Sequence, residues 1–169
     1  AMEAEQRYEE VIAAYRQYLT ARPDHDDVWA TVAKLLSWQG QWDDAIAIYR
    51  ELLTRQPLDH DNRVSLARVL SWKKQFAEAR EEFERVLHDE PTHAEALAGL
   101  GDLLLWNGQR EQALPYYERA VAASGDEALE ARLRAVKAEI ESATPASDPP
   151  STHSSEPEPS DGSRALERG

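Results

Sequence analysis

The chain reads as all-α, a helical repeat array, and three observations predict it. Trp38-Gln39-Gly40-Gln41-Trp42-Asp43-Asp44-Ala45 aligns with Trp72-Lys73-Lys74-Gln75-Phe76-Ala77-Glu78-Ala79 and with Trp106-Asn107-Gly108-Gln109-Arg110-Glu111-Gln112-Ala113, a period of 34 residues with the first tryptophan and the last alanine in step. In each unit, large apolar residues stand four apart (Val32 and Leu36, Leu66 and Leu70, Leu100 and Leu104) beside a small one, Ala33, Ala67 or Gly101. That is a helix whose buried stripe lets a neighbour come close. After each turn a second helix carries a small contact residue, Ala45, Ala79 or Ala113, places Tyr49, Phe83 or Tyr117 four residues on, then Leu52, Val86 or Ala120, and Pro57 and Pro91 end it.

In chain order, Ala1-Met2 reads as a cloning remnant, and residues 3 to 21 as a second helix without its first, since Tyr8, Val11, Tyr15 and Tyr18 occupy the columns of Trp42, Ala45, Tyr49 and Leu52. This start suits either an excised piece of a longer array or an N-terminal cap. First helices are expected near 25–39, 59–73 and 93–107, and second helices near 42–55, 76–89 and 110–123. Asp24, Asp59 and Thr92 are the expected N-caps, and Asp43, Asp44, Glu78 and Glu111 set negative charge at the positive helix ends. Gly40 and Gly108 suit a left-handed turn residue, and Lys74 shares their column. The domain division is an array over 1–142, with a half repeat at 3–24, repeats at 26–59, 60–93 and 94–125, and a capping helix at 126–141. Leu129, Leu133, Val136 and Ile140 put that last helix out of phase with the repeat. Residues 143–169, rich in Pro, Ser, Thr and acids, read as a disordered tail or linker.

With 169 residues and 41% hydrophobic content, the chain suits one domain whose core is spread along the array. The net charge of −13 opposes nucleic acid and anionic membranes as partners. No cysteine is present, which fits any compartment. No signal peptide or membrane-spanning run is visible, so membrane insertion is excluded, and cytoplasm and periplasm both fit.

Trp29, Val32, Ala33, Leu36, Ala45, Tyr49, Leu52 and Pro57 carry a resemblance to the tetratricopeptide repeat family, covering residues 2 to about 125. The resemblance implies antiparallel helix pairs stacked into a right-handed superhelical solenoid with a C-terminal capping helix, working as an interaction scaffold. It also implies which first-helix positions face the concave groove. These are Asp27, Ala30, Lys34, Ser37 and Trp38; then Asp61, Val64, Arg68, Ser71 and Trp72; then Glu95, Ala98, Asp102, Leu105 and Trp106. From them the expected ligand-binding set is Asp27, Lys34, Trp38, Asp61, Arg68, Trp72, Glu95, Asp102 and Trp106. The Lys, Asn and Arg clamp that chaperone-binding relatives close on a terminal carboxylate is not expected, because no Asn accompanies Lys34 and Arg68, and Asp102 has the wrong sign. The Leu-Ser-Trp helix endings are also similar to the repeats preceding outer-membrane barrels in bacterial exopolysaccharide-secretion proteins.

No phosphate-cradling glycine loop, Gly-x-Ser-x-Gly or His-Glu-x-x-His is present, so no enzyme, cofactor or catalytic residue is expected. His25, His60 and His93 sit among acids, but successive repeats lie about 10 Å apart, too far for one shared metal ion. The expected function is a non-enzymatic scaffold that binds an extended, neutral or basic segment of a protein partner in its groove, with weak self-association through the N-terminal helix. The second reading is a periplasmic glycan-contacting or assembly module of an exopolysaccharide export system, with polysaccharide as partner. Trp38, Trp72 and Trp106 divide these readings. Aromatic columns in repeats are usually core, so burial is the expectation, with Trp72→Ala the costliest truncation; a stacking surface for a ligand is the alternative.

Overall fold

The computed structural model describes residues 2–143, with side chains from Tyr8 onward. It holds α1 (Met2–Ala21), α2 (Asp26–Trp38), α3 (Trp42–Arg55), α4 (His60–Trp72), α5 (Phe76–Asp89), α6 (Ala94–Trp106), α7 (Arg110–Ser124) and α8 (Glu127–Ala143), with no strand among the described residues. The second helices start where the sequence puts them. The tail expected from 143 onward lies outside the described residues, except Ala143, which ends α8.

Each first helix closes in the same way. Gly40 donates its backbone N–H to Ser37 and Gln41 to Leu36 (3.2 and 2.9 Å), and the same pair of bonds runs from Lys74 and Gln75 to Ser71 and Leu70, and from Gly108 and Gln109 to Leu105 and Leu104. These are Schellman ends, which need a left-handed residue just past the helix. Gly40, Lys74 and Gly108 supply it at φ of 76°, 64° and 74°. One fixed turn therefore sends each second helix back along its first.

Two of the expected N-caps are corrected. The first helices begin one residue later than expected, so His25 and His93, not Asp24 and Thr92, stand at the N-cap positions. The His93 imidazole accepts from the Ala96 N–H at 3.3 Å. Asp59 caps α4 as expected, accepting from Asn62 at 2.9 Å.

Helices pack with their neighbours in sequence, as a one-dimensional stack requires. Val32, Ala33, Leu36, Ala45, Tyr49 and Leu52 are buried in the first pair, and Leu66, Ala67, Leu70, Ala79, Phe83 and Val86 in the second. α8 meets α7 through Leu129, Leu133, Val136 and Ile140. It leaves exposed Arg134, Ala135 and Ala138, whose columns in the earlier first helices are core.

Lys74 holds a glycine's conformation with a side chain attached, at a cost of about 1 kcal/mol. Lys74→Gly should therefore stabilise the protein by about 1 kcal/mol, seen as a higher urea midpoint; an unchanged or lower midpoint would show that the turn carries no such strain.

Candidate binding groove

α2, α4 and α6 lie side by side because each second helix returns the chain to the same edge. Equal positions of successive first helices therefore form rows. A cleft of about 320 Å³ opens along α2 and α4, lined by Lys34, Ser37, Trp38, Tyr49, Asp61, Ser65, Arg68, Val69, Trp72 and Glu95. It brings together six of the nine expected site residues: Lys34, Trp38, Asp61, Arg68, Trp72 and Glu95. Asp27, Asp102 and Trp106 are not among its lining residues.

The charges in the cleft are partly committed. The Lys34 ammonium lies 5.2 Å from the centre of the Trp38 ring. Arg68 donates across to Glu95 of the next first helix at 3.1 Å. The Asp61 side chain is 99% exposed, with the His93 imidazole 3.9 Å from its carboxylate. Tyr49 forms part of the wall from α3. Burial raises its phenol pKa, against the opposing pull of a hydrogen bond with Ser65 and the charge of Arg68.

The third level is built differently. Asp102 accepts from the Tyr117 hydroxyl at 2.5 Å and from Arg132 of α8 at 2.9 Å. Burial first, then the adjacent carboxylate, holds the Tyr117 phenol protonated well above the ordinary tyrosine range. Asp102 is thus engaged by two donors. The sequence reading missed this trio; the sign change from Lys34 and Arg68 to Asp102 in one column was its only signal.

Several expected groove positions are not open. Val64, Ala98, Ser37 and Ser71 are buried, and the two serine hydroxyls donate back to the carbonyls of Lys34 (2.7 Å) and Ala67 (2.9 Å). Burial follows the helix face and not the position along it: Ser37 and Ser71 are buried one residue before an exposed terminal tryptophan, and Lys34 and Arg68 are exposed in mid-helix.

The expected burial of the tryptophans is also corrected. Trp38, Trp72 and Trp106 are 59%, 38% and 50% exposed. Each is the last residue of its helix, beyond the partner's reach. Among the described residues no three His, Asp or Glu side chains converge as metal ligands, and no helix is long and apolar enough to cross a membrane.

A model of the tetratricopeptide repeat family matches residues 3–70 and 73–140. The chain belongs to the tetratricopeptide repeat (TPR) family. The match runs through α8, beyond the point where the sequence resemblance ends. No curated protein matches the chain. Among solved structures, a thermophilic TPR protein of Thermus thermophilus is similar at 15% identity and a TM-score of 0.69, covering 82% of this chain and 77% of that one. YrrB, described as a TPR protein with an unusual peptide-binding site, is similar at 20% identity and a TM-score of 0.66, covering 78% and 68%. The first TPR of Spaghetti (RPAP3), bound to the HSP90 peptide SRMEEVD, is similar at 19% identity and a TM-score of 0.61, covering 69% and 93%. At these identities the likeness is one of fold, and it agrees with the all-helical TPR solenoid expected from the sequence.

Exposure decides what the tryptophans contribute to stability. Truncating the buried Phe83 to alanine should cost about 3 to 5 kcal/mol, and Trp38→Ala far less, with Trp72→Ala the costliest of the three tryptophan variants. Chemical denaturation of the four proteins tests this, and a Trp38→Ala loss equal to that of Phe83→Ala would restore the core reading.

Proposed function

We propose that this TPR chain is a non-enzymatic interaction scaffold that holds an extended segment of a partner protein along the groove edge of α2, α4 and α6. The observation that carries the reading is the open cleft, in which six expected site residues from three repeats meet around two exposed indoles. Such a cleft offers an extended chain apolar faces, charges of both signs and hydroxyls in one strip, which suits a peptide better than a compact metabolite. Peptide sites described in YrrB and in the first TPR of Spaghetti support this use of the fold. The net charge of −13 favours a neutral or basic segment. A displayed library of random dodecapeptides should enrich sequences whose binding falls at least tenfold in a Trp72→Ala, Asp61→Ala double variant that still folds. Enriched peptides indifferent to both changes would place binding elsewhere. The exposed indoles also favour a second reading, a glycan surface; neutral oligosaccharides that shift the indole resonances where no peptide does would select it.

The same scaffold is proposed to self-associate weakly through α1. Val11 shares a column with Ala45, Ala79 and Ala113, each 0% exposed, yet it is 42% exposed, flanked by Tyr8 at 40% and Tyr18 at 37%. Among the described residues no helix covers that apolar face. Sedimentation at rising concentration should show dimers that Tyr8→Glu abolishes; a strict monomer, unchanged by the substitution, would remove the proposal.

A further inference from the structure

The tryptophan row has an internal asymmetry that says what kind of side chain it takes. Four residues before each tryptophan, on the same face of the helix, stands Lys34, Arg68 or Asp102. Only Lys34 uses its indole, with its ammonium 5.2 Å from the Trp38 ring centre. Arg68 is drawn away to Glu95 at 3.1 Å, and Asp102 is held by Tyr117 and Arg132. Trp72 and Trp106 therefore occupy the helix position of Trp38 without a side-chain cation over them among the described residues, and they are 38% and 50% exposed. At the other end of α4 from Trp72, the cleft also holds Asp61, whose carboxylate has no Lys or Arg within ion-pairing distance among the described residues.

An indole face is the negative part of the ring quadrupole and attracts ammonium and guanidinium groups. The chain's field adds to that attraction, at a net charge of −13. Resting on the groove reading above, we infer that Trp72 and Trp106 receive Lys or Arg side chains of a basic, extended segment of a partner protein, and that Lys34 is an internal occupant of the first of three equivalent positions. Adjacent first helices are about 10 Å apart, and an extended chain advances about 3.3 Å per residue. The two cations recognised should therefore stand about three residues apart in the partner. Charge complementarity selects this occupant: an acidic segment would meet Asp61 in the cleft and the protein's overall field, and find Lys34 and Arg68 already engaged.

The probe is a Ser-Gly decapeptide with two lysines three positions apart, compared with the same peptide carrying glutamine or glutamate there and followed by the indole N–H resonances of the full chain. The lysine peptide should move the Trp72 and Trp106 resonances and leave that of Trp38 in place. Trp72→Leu and Trp106→Leu should each weaken it about two- to fivefold. Lys34→Met should strengthen it by a similar factor and bring the Trp38 resonance into the response, because it frees the third indole. Equal shifts from the glutamine peptide would overturn the cation assignment and leave the groove reading standing. So would preferred binding of the glutamate peptide that is lost in Lys34→Met, since the cleft would then read anions. If no peptide of the three moves a groove resonance, the cation assignment falls, and the random library decides separately whether the groove reading falls with it.

Discussion

The structure depends on aromatic rings seated where a side chain is missing. A Cβ built on Gly99 of α6 would lie 2.3 Å from the Phe83 ring of α5, and one on Gly101 would lie 2.8 Å from the Tyr117 ring of α7. The first contact joins one repeat to the next; the second joins the two helices of one repeat. Both lie on α6, so this helix is clasped from two sides by rings that a single methyl group would displace, an overpacking worth about 1 to 3 kcal/mol. Close approach at these points fixes how the first helices lie against each other, and hence which of their positions stay open.

The column that passes under these rings changes along the chain. Opposite Tyr49 it holds Ser65, which lines the same cleft; opposite Phe83 it holds Gly99; opposite Tyr117 it holds Leu133. A leucine cannot sink beneath a ring as a glycine does. α8 instead buries Val136, whose column in α2 and α4 is the exposed Lys34 and Arg68. Turned this way, α8 presents Arg132 to Asp102. The charges on the opposite side of the stack repeat more faithfully: Arg16 reaches Asp44 at 3.7 Å, and Arg50, one period on, reaches Glu78 at 2.7 Å. Exposed pairs of this kind contribute little energy each, so they follow the register set by the rings and do not determine it.

Most of the helical framework was legible because a period of 34 constrains every column at once. The left-handed turn at Lys74 could be read from its glycine neighbours in the alignment, and the second-helix starts from the alanine column. What failed was decided by the third dimension. His25 and His93 displaced the expected Asp24 and Thr92 as N-cap residues because the helices start one residue later, which no propensity scale resolves. The tryptophans recur in a column as regular as those of the core, yet each closes its helix on a face that the packing leaves open. Ser37, Val64, Ser71 and Ala98 sit at groove positions in the repeat pattern but are buried, because they face the packed side of their helices. The Asp102, Tyr117 and Arg132 trio depends on the rotation of α8, which breaks the period that made the rest readable.

Three units of nearly equal backbone thus carry three unequal levels. At the first, a lysine covers its own indole. At the second, the arginine is paired with the acid of the next repeat, leaving the indole open in the cleft. The third has its acid closed off by a phenol and by α8, with its indole open. A uniform stack would accept an extended chain equally well at any register and in either direction, because each shift by one repeat restores the same contacts. For the basic segment proposed above, such a shift would move a cation from an open indole to one already occupied, and a reversal would exchange the two ends of the row. Lys34 and Arg68 stand off the packed columns, whereas Asp102 is tied to α7 and α8, and together the three differences turn a periodic surface into one with a beginning and an end.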